Sequence, residues 1–263
     1  MKNTADIKKS PVSLQIRRKE PGLKLFLLLV IFFFSAPSVG SAFTVPEKLV
    51  FDLTWTGVSA GTATLDISNE NGRAKIVSTA RSADWVSAFY KVDNRVESLL
   101  KNGDPESLIG LPENYRIKLR EGKHKRDREL NFDHPNLEVT FIDHIGSAKK
   151  TYNIGENTFD PLSSFYSVRT LPLVVGKSVY VNIFDSKKIW RVEVQVLRKE
   201  KIRTRLGKFD TVVIKPLMKS EGLFNRKGDM YIWLTDDMKR LPVKMQTKVA
   251  IGSVTATLVG GSF

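Results

Sequence analysis

Residues 115–154 read YRIKLREGKHKRDRELNFDHPNLEVTFIDHIGSAKKTYNI. Four segments of this stretch have the composition of β-strands: 115–120, 125–132, 137–142 and 149–154. The first and third of them alternate apolar with polar side chains, which is the period of a half-buried strand. The residues that separate them are turn formers. The stretch therefore predicts four antiparallel strands joined by short connections.

The same alternation continues on both sides of this stretch, for example in residues 51–56 and 190–196, and brings the predicted number of strands to about ten to twelve. Asp160-Pro161 is a capping carboxylate before a proline and predicts a helix of about ten residues. Residues 82–90 could form a second, shorter helix. The predicted fold class is mainly β: an antiparallel curved sheet, a sandwich or a partly open barrel, with one or two short helices.

The first 42 residues have the pattern of a signal peptide. Residues 1–24 carry seven basic and two acidic side chains, residues 25–34 are the uncharged run LFLLLVIFFF, and Gly40-Ser41-Ala42 supplies small residues at the cleavage position. A membrane span needs about 20 apolar residues, and this run has half that length. We therefore predict a signal peptide cleaved after Ala42, and a mature protein that is not an integral membrane protein.

Residues 43–263 contain no linker or repeat and are predicted to form a single β-rich periplasmic domain. The predicted location is the periplasm or the secreted medium. The sequence has no cysteine, which excludes disulfides, thiol nucleophiles and the acylated cysteine of a lipoprotein. The leader holds +5 of the +14 formal charge, so the mature chain keeps +9.

Several short motifs follow one another in a familiar order: Glu47-Lys-Leu-Val-Phe with Trp55 and Ala60-Gly61, Asp160-Pro-Leu-Ser-Ser-Phe-Tyr-Ser-Val-Arg169, Gly207-Lys-Phe-Asp-Thr211, Ile232-Trp-Leu-Thr-Asp-Asp237, Arg240-Leu-Pro-Val243 and Ile251-Gly-Ser253. Together they resemble the exported bacterial family known as domain of unknown function 3108, over nearly all of residues 47–263. The resemblance implies an exported, β-rich domain of the bacterial envelope. It implies no agreed reaction and supplies no catalytic residue.

Three histidines recur at ten-residue intervals, at His124, His134 and His144. His134 and His144 flank one predicted strand and would lie roughly 20 Å apart, too far to share an ion. His124 and His144 could meet across the meander, but histidines in turns usually face solvent. We therefore predict no metal site and no cofactor.

Candidate catalytic carboxylates are Asp160 and the pair Asp236-Asp237, since paired carboxylates can divide acid and base roles. The sequence favours helix capping for Asp160 and a hairpin turn for the pair. No nucleophile elbow, phosphate loop or dinucleotide motif occurs. Enzymatic activity stays open, no catalytic residue is assigned, and a non-catalytic protein is favoured.

The basic side chains are the strongest indication of function in the sequence. Lys199, Lys201, Arg203 and Arg205, here called the basic stripe, share one parity and would line one face of a strand. The alternative is an ordinary solvated face with interleaved acids. Arg169 on the predicted helix would either bind an anion or, as we favour, pair with an acid such as Asp236 or Asp237. The candidate ligand-binding residues are Lys199, Lys201, Arg203, Arg205, Arg169, Trp55 and Trp233.

Three functions fit these features. The first is a periplasmic binding or carrier module, with an aromatic-lined sheet for an apolar chain and a basic rim for an acidic head group. Its partner would be a lipid, a glycolipid or an acidic glycan. The second is an interaction factor that assembles the outer envelope or surface polysaccharide with a protein partner. The third is a carboxylate-based hydrolase. Export and the lack of a stacking motif argue against nucleic acid.

Overall fold

The computed structural model describes residues 45–101, 109–185, 187–217, 229–249 and 251–263. In chain order these residues form β1 Glu47–Trp55, β2 Val58–Glu70, β3 Arg73–Ser82, α1 Asp84–Ser87, β4 Asp93–Leu100, β5 Pro112–Glu121, β6 His124–Asp133, β7 Glu138–Asp143, β8 Ala148–Asn153, β9 Thr158–Phe159, α2 Pro161–Thr170, β10 Ser178–Asp185, β11 Lys188–Thr204, β12 Gly207–Leu217, β13 Met230–Thr235, β14 Pro242–Lys248 and β15 Ser253–Ser262. The predicted fold class is confirmed, with more strands than the sequence pattern indicated.

The described strands form one sheet in the order β8-β7-β6-β5-β4-β3-β2-β1-β15-β14-β13-β12-β11-β10-β9. Strands β1 to β8 and strands β10 to β15 are two antiparallel meanders. The first and last strands pair in the middle, from Lys48 opposite Ser262 to Trp55 opposite Val254, and join the two meanders. The meander expected at residues 115–154 is present as β5 to β8.

The contacts of helix α2 show that this sheet curls. The helix touches β3 and β4 and also β9 and β10, although at least seven strands separate these two pairs in the sheet. Phe184 on β10 likewise packs in a cluster with residues of β5, β6 and β7. The sheet order ends at β8 on one side and β9 on the other. The architecture is therefore a partly open barrel whose concave face holds α2.

The core of the described residues forms two clusters, most of whose side chains lie on this concave face. The larger cluster joins apolar side chains of β1, β2 and β10 to β15 with Tyr166 and Val168 of α2. The smaller one joins β4 to β7 with Phe184. No helix within the described ranges is long and apolar enough to cross a membrane. The predicted leader, residues 1–42, lies outside the described residues.

Candidate functional site

The N-terminus of α2 is fixed by a buried carboxylate. One oxygen of Asp160 accepts the backbone N–H groups of Leu162 and Ser163, at 2.7 and 2.9 Å. Its other oxygen accepts the hydroxyls of Ser98 on β4 and Ser163, at 2.6 and 2.7 Å. Complete burial raises the pKa of the Asp160 carboxyl, although these hydrogen bonds act in the opposite direction. Asp160 is therefore an anchor between the helix and β4, as its predicted capping role requires.

The capping role of Asp160 predicts a difference between two substitutions. Asp160→Ala removes the cap and leaves the buried Ser98 hydroxyl without its acceptor, so we expect the free energy of unfolding to fall by about 2 kcal/mol. Asp160→Asn keeps an acceptor for the helix N–H groups and should cost less. Urea denaturation of both variants measures the difference. Equal losses in the two variants would contradict the capping role.

The raised pKa of Asp160 also sets the sign of a pH effect. Because the folded protein holds this proton more tightly than the unfolded chain, stability should fall as the pH rises from the ordinary aspartate range to the raised pKa. The Asn variant lacks this titration, so its stability should depend less on pH across the same window. Asp133 is exposed, and hydrogen bonds from Asn136 lower the pKa of its carboxyl, so its pH effect has the opposite sign. Asp133→Asn should remove a stabilisation that is lost as the pH falls, whereas Asp160→Asn removes one that is lost as the pH rises.

A buried ion pair fixes the other end of α2. Arg169 donates to both carboxylate oxygens of Glu47 on β1, at 2.7 and 2.8 Å, and also to the backbone carbonyl of Lys239, at 2.9 Å. Both charged side chains are essentially inaccessible to solvent. Tyr166 donates to Glu47 at 3.4 Å, and burial together with the charge of Glu47 raises the pKa of its hydroxyl. The favoured ion pair therefore exists, but its acid is Glu47 and not Asp236 or Asp237.

Between these two anchors, α2 and the sheet border a partly open apolar cavity of about 260 Å³. Side chains at helical spacing form the wall on the helix: Pro161, Leu162, Ser164, Phe165 and Val168. The sheet contributes mostly aliphatic side chains and one phenylalanine, among them Phe51, Leu65, Val181, Val194, Ile214 and Met245. The volume is near the lower end of the about 300–1,000 Å³ of ligand pockets. An alkyl chain matches this lining.

Tyr115 on β5 borders both the apolar cavity and a smaller, more polar pocket. Arg126, Arg128 and Asp185 line that smaller pocket. Arg128 is paired with Asp143 at 3.2 Å, whereas Arg126 donates to the imidazole of His124 at 2.8 Å. Charged groups therefore lie directly beside one end of the apolar cavity.

A larger surface depression, of about 350 Å³, lies on β10 and β11. Its lining mixes the aromatic rings of Tyr180 and Trp190 with the charges of Arg191 and Glu193. Leu217 at the end of β12 completes this lining. The apolar cavity has the more extensive and more apolar lining, and it is therefore the candidate functional site.

The structure separates the basic stripe from the apolar cavity. On β11 the cavity is lined by Val192 and Val194, and Lys199 is about 16 Å farther along the strand at about 3.3 Å per residue. Lys199 pairs with Asp236 at 2.6 Å, and Lys201 pairs with Asp210 at 3.3 Å. Arg203 and Arg205 are exposed beyond them. The stripe is thus a solvated end of a hairpin, two of whose lysines already have acidic partners.

The two predicted tryptophans also lie outside the cavity lining. Trp233 points away from the cavity, since its neighbour Ile232 on β13 lines it. Its indole N–H donates to Glu200, and the ammonium of Lys244 lies 4.5 Å from its ring centroid. The indole N–H of Trp55 donates to the backbone carbonyl of Ile251 at 2.9 Å. The two tryptophans and the basic stripe therefore do not meet at one site.

The carboxylates of residues 236 and 237 have separate roles in the turn after β13. Asp236 pairs with Lys199 and with Arg240, and the hydrogen bond from Lys199 holds the pKa of Asp236 below its ordinary value. Asp237 accepts from the Thr235 hydroxyl at 2.6 Å and from two backbone N–H groups of its own turn. This arrangement is that of a hairpin turn.

The three histidines lie apart as well. His134 bonds to the backbone carbonyl of Pro112 at 2.8 Å, and His144 bonds to Glu129 at 2.9 Å. His124 accepts from Arg126. In the part of the chain that the structure describes, no group of three or more histidine, aspartate and glutamate side chains could hold a metal ion.

A pocket on the sheet for an apolar chain was one hypothesis from the sequence, but the sequence pattern did not distinguish such a pocket from a dry core. The strand residues that line the cavity alternate with polar residues, as the residues of a fully packed core also do. The alternation therefore does not show whether a space remains between the sheet and the helix. The available signal was the helix: a short amphipathic helix among many strands has to cover one face of the sheet. The distance between the sheet and α2, and hence the volume of the cavity, depends on how the sheet curls.

The model of a family of proteins of unknown function, DUF3108, matches residues 50–259. The chain belongs to this family. The resemblance noted from the short motifs is thus confirmed, and the DUF3108 match includes most of the strands and the whole of α2. No curated protein matches the chain.

Among solved structures, the DUF3108 chain is similar to a β-barrel-like protein of the domain of unknown function DUF1849 from Brucella abortus. The two share 11% sequence identity with a TM-score of 0.54, over 84% of this chain and 98% of that chain. A protein with a YmcC-like fold from Bacteroides fragilis aligns over 84% of this chain and 97% of its own, at 11% identity and a TM-score of 0.33. The Brucella protein supports the barrel-like fold alone.

Proposed function

We propose that the chain is a non-catalytic binding or carrier module for an amphipathic molecule, whose apolar chain occupies the cavity beneath α2. The observation that supports this is the cavity itself, a space of about 260 Å³ with a largely aliphatic lining. Burying a methylene group contributes about 0.8 kcal/mol, so an alkyl chain in such a space binds without any directional contact. A rigid helix fixed at both ends keeps the space open.

The polar end of the ligand would lie at the surface beside Tyr115, because the smaller pocket there, of about 20 Å³, has room for about one water molecule. Arg126 and Arg128 line that pocket and could contact an acidic head group. Asp185 and Asp143 offset part of their charge. This arrangement supports an anionic or zwitterionic amphiphile, and it replaces the basic stripe as the proposed place of the head group.

We also propose that the protein is exported and acts in the bacterial envelope, in the periplasm or beyond it. The support is the charged segment, apolar run and small-residue exit of residues 1–42. Intact mass measurement of protein recovered from the periplasm should give a chain that begins at Phe43. A chain that keeps residues 25–34 would contradict a cleaved signal peptide.

The proposed carrier function predicts a bound molecule. Protein purified from a bacterial periplasm without detergent should release a lipid or glycolipid into an organic solvent, in near-stoichiometric amount by mass spectrometry. A second sample, stripped and then incubated with envelope lipids, should take the molecule up again. If neither the purified protein nor the reloaded protein releases a lipid or glycolipid, the carrier function is overturned.

The edge strand β8 favours a second candidate function, an envelope assembly factor that binds another protein. The side chains of Ala148–Asn153 are mostly exposed, and in the described sheet β8 pairs with β7 alone. An edge of this kind can accept a strand from a partner. This candidate function predicts that the extraction experiment releases no bound lipid, so one measurement distinguishes the two functions.

A further inference from the structure

One end of the barrel carries a cluster of exposed apolar side chains that neither the core nor the cavity uses. We call it the aromatic tip and define it by five exposed residues, Val58, Trp85, Phe89, Tyr90 and Ile251, together with the half-buried Trp55. They come from three connections, namely the β1–β2 turn, helix α1 with the residues after it, and the β14–β15 turn. The exposed fractions are 59% for Val58, 46% for Trp85, 64% for Phe89 and 74% for Ile251.

Hydrogen bonds and ring contacts join these three connections into one surface. Trp55 donates its indole N–H to the carbonyl of Ile251 at 2.9 Å. Trp85 donates its indole N–H to the carbonyl of Ser59, next to Val58, at 3.0 Å. The tip is therefore held in place by the barrel and does not depend on a partner for its shape.

The aromatic rings continue the surface towards the β5–β6 turn. The ring centroids of Trp85 and Phe89 lie 6.0 Å apart. The ring of Tyr90 lies so close to Gly122 that a Cβ atom at this glycine would come within 2.9 Å of it. The tip thus extends from the β14–β15 turn to the β5–β6 turn without leaving the barrel end.

Lysines flank the aromatic end of the tip. Lys91 follows Tyr90, and its carbonyl accepts the N–H of Gly122 at 2.8 Å, which places Lys123 beside the same surface. Both lysines are exposed. The acids nearby in sequence are Asp84, Asp93 and Glu121. Asp93 is paired with Arg81 at 3.4 Å, and Glu121 accepts from the side-chain amide of Asn94 at 3.0 Å. The margin of the tip therefore offers positive charge next to aromatic rings.

We propose that the aromatic tip docks the protein on the surface of an anionic lipid bilayer. Tryptophan, tyrosine and flanking lysines are the side chains that favour the membrane–water interface. Both indole N–H groups of the tip already have acceptors within the protein, so the tip presents apolar ring surface that needs no directional contact from a partner. A bilayer supplies such a medium, and anionic head groups complement the two lysines. This inference stands independently of the proposed carrier function.

Sedimentation with lipid vesicles tests the docking. Exported protein with a verified N-terminus should sediment with vesicles of phosphatidylethanolamine and phosphatidylglycerol, and less with phosphatidylcholine alone. The double variant Trp85→Ser/Phe89→Ser should lower the apparent affinity at least about tenfold. The matched control is Tyr180→Ser/Ile189→Ser, which removes two apolar side chains of similar exposure from strands β10 and β11 and should bind as the unaltered protein does.

A fluorescence measurement keeps the test valid if the double variant folds poorly. Brominated phosphatidylglycerol should quench the tryptophan emission of the unaltered protein, and Trp85→Phe should keep vesicle binding but lose the part of that quenching that Trp85 contributes, while Trp55 in the tip stays quenched. Failure to sediment with anionic vesicles, or equal affinity in the Ser/Ser variant, would overturn the proposal. Binding only to native envelope membranes, lost after their proteins are digested, would overturn it in favour of a protein partner.

Discussion

Replacing Arg169 with methionine should lower the free energy of unfolding by about 3–5 kcal/mol, the usual cost of leaving one member of a buried ion pair without its partner. The Glu47 side chain is only 1% exposed, so its carboxylate would stay buried inside the barrel and would lose both hydrogen bonds from the guanidinium group. The carbonyl of Lys239 would lose its donor as well. Urea denaturation followed by circular dichroism measures the change.

Two comparisons identify the buried ion pair as the cause. The exposed pair of Lys201 and Asp210 serves as the matched control, and Lys201→Met should leave stability unchanged within error. The double variant Glu47→Leu/Arg169→Met removes both charges and should recover much of the loss, because apolar replacement of a whole buried pair is often neutral. A loss of less than about 1 kcal/mol in Arg169→Met would show that the pair does not anchor α2.

Replacing Ala63 with tryptophan should weaken ligand binding roughly a hundredfold. Ala63 lines the cavity on β2, opposite Phe51 in the register, and an indole there would fill much of the space. Excluding about four methylene groups at about 0.8 kcal/mol each accounts for the expected factor. Titration with a fluorescent polyene fatty acid, read by the change in its emission, measures the affinity.

The neighbouring residue provides the control for this experiment. Thr62 is exposed and points to the opposite face of the same strand, so Thr62→Trp should bind the fatty acid as the unaltered protein does. Overpacking can itself cost about 1–3 kcal/mol, and thermal unfolding of both variants checks for it. The milder Ala63→Leu should give an intermediate loss of affinity. Equal affinity in Ala63→Trp and Thr62→Trp would place the ligand elsewhere.

Features that depend on near neighbours were predicted well from the sequence. The meander of residues 115–154 is present as β5 to β8, because alternation and turn residues act within a few positions of one another. The ten-residue helix begins directly after Asp160, whose side chain caps it as expected. The second helix is α1, within the predicted residues 82–90.

Features that depend on distant residues were predicted incompletely. Strands β3 and β4 have several polar or charged residues, and pairing with their neighbours extends them beyond what alternation shows. In β11, the register shifts between Val196 and Arg198, so that Val196 lies opposite Ile214 and Lys199 lies opposite Val212. The shift brings the stripe onto the face of the valines in the first half, although the residue numbers have the opposite parity. A stripe inferred from parity alone therefore could not be placed relative to a site on the same strand.

The strand-rich fold class, the place of α2 and its capping residue all followed from the amino-acid sequence, since backbone geometry and local hydrogen bonds act over a few residues. The tertiary structure alone decided that Arg169 pairs with Glu47, 122 positions away, and that a space remains beneath the helix. It also brought three separate turns together as the aromatic tip. These outcomes depend on how a fifteen-stranded sheet curls, which sums the twist of every strand pair and is encoded in no single segment.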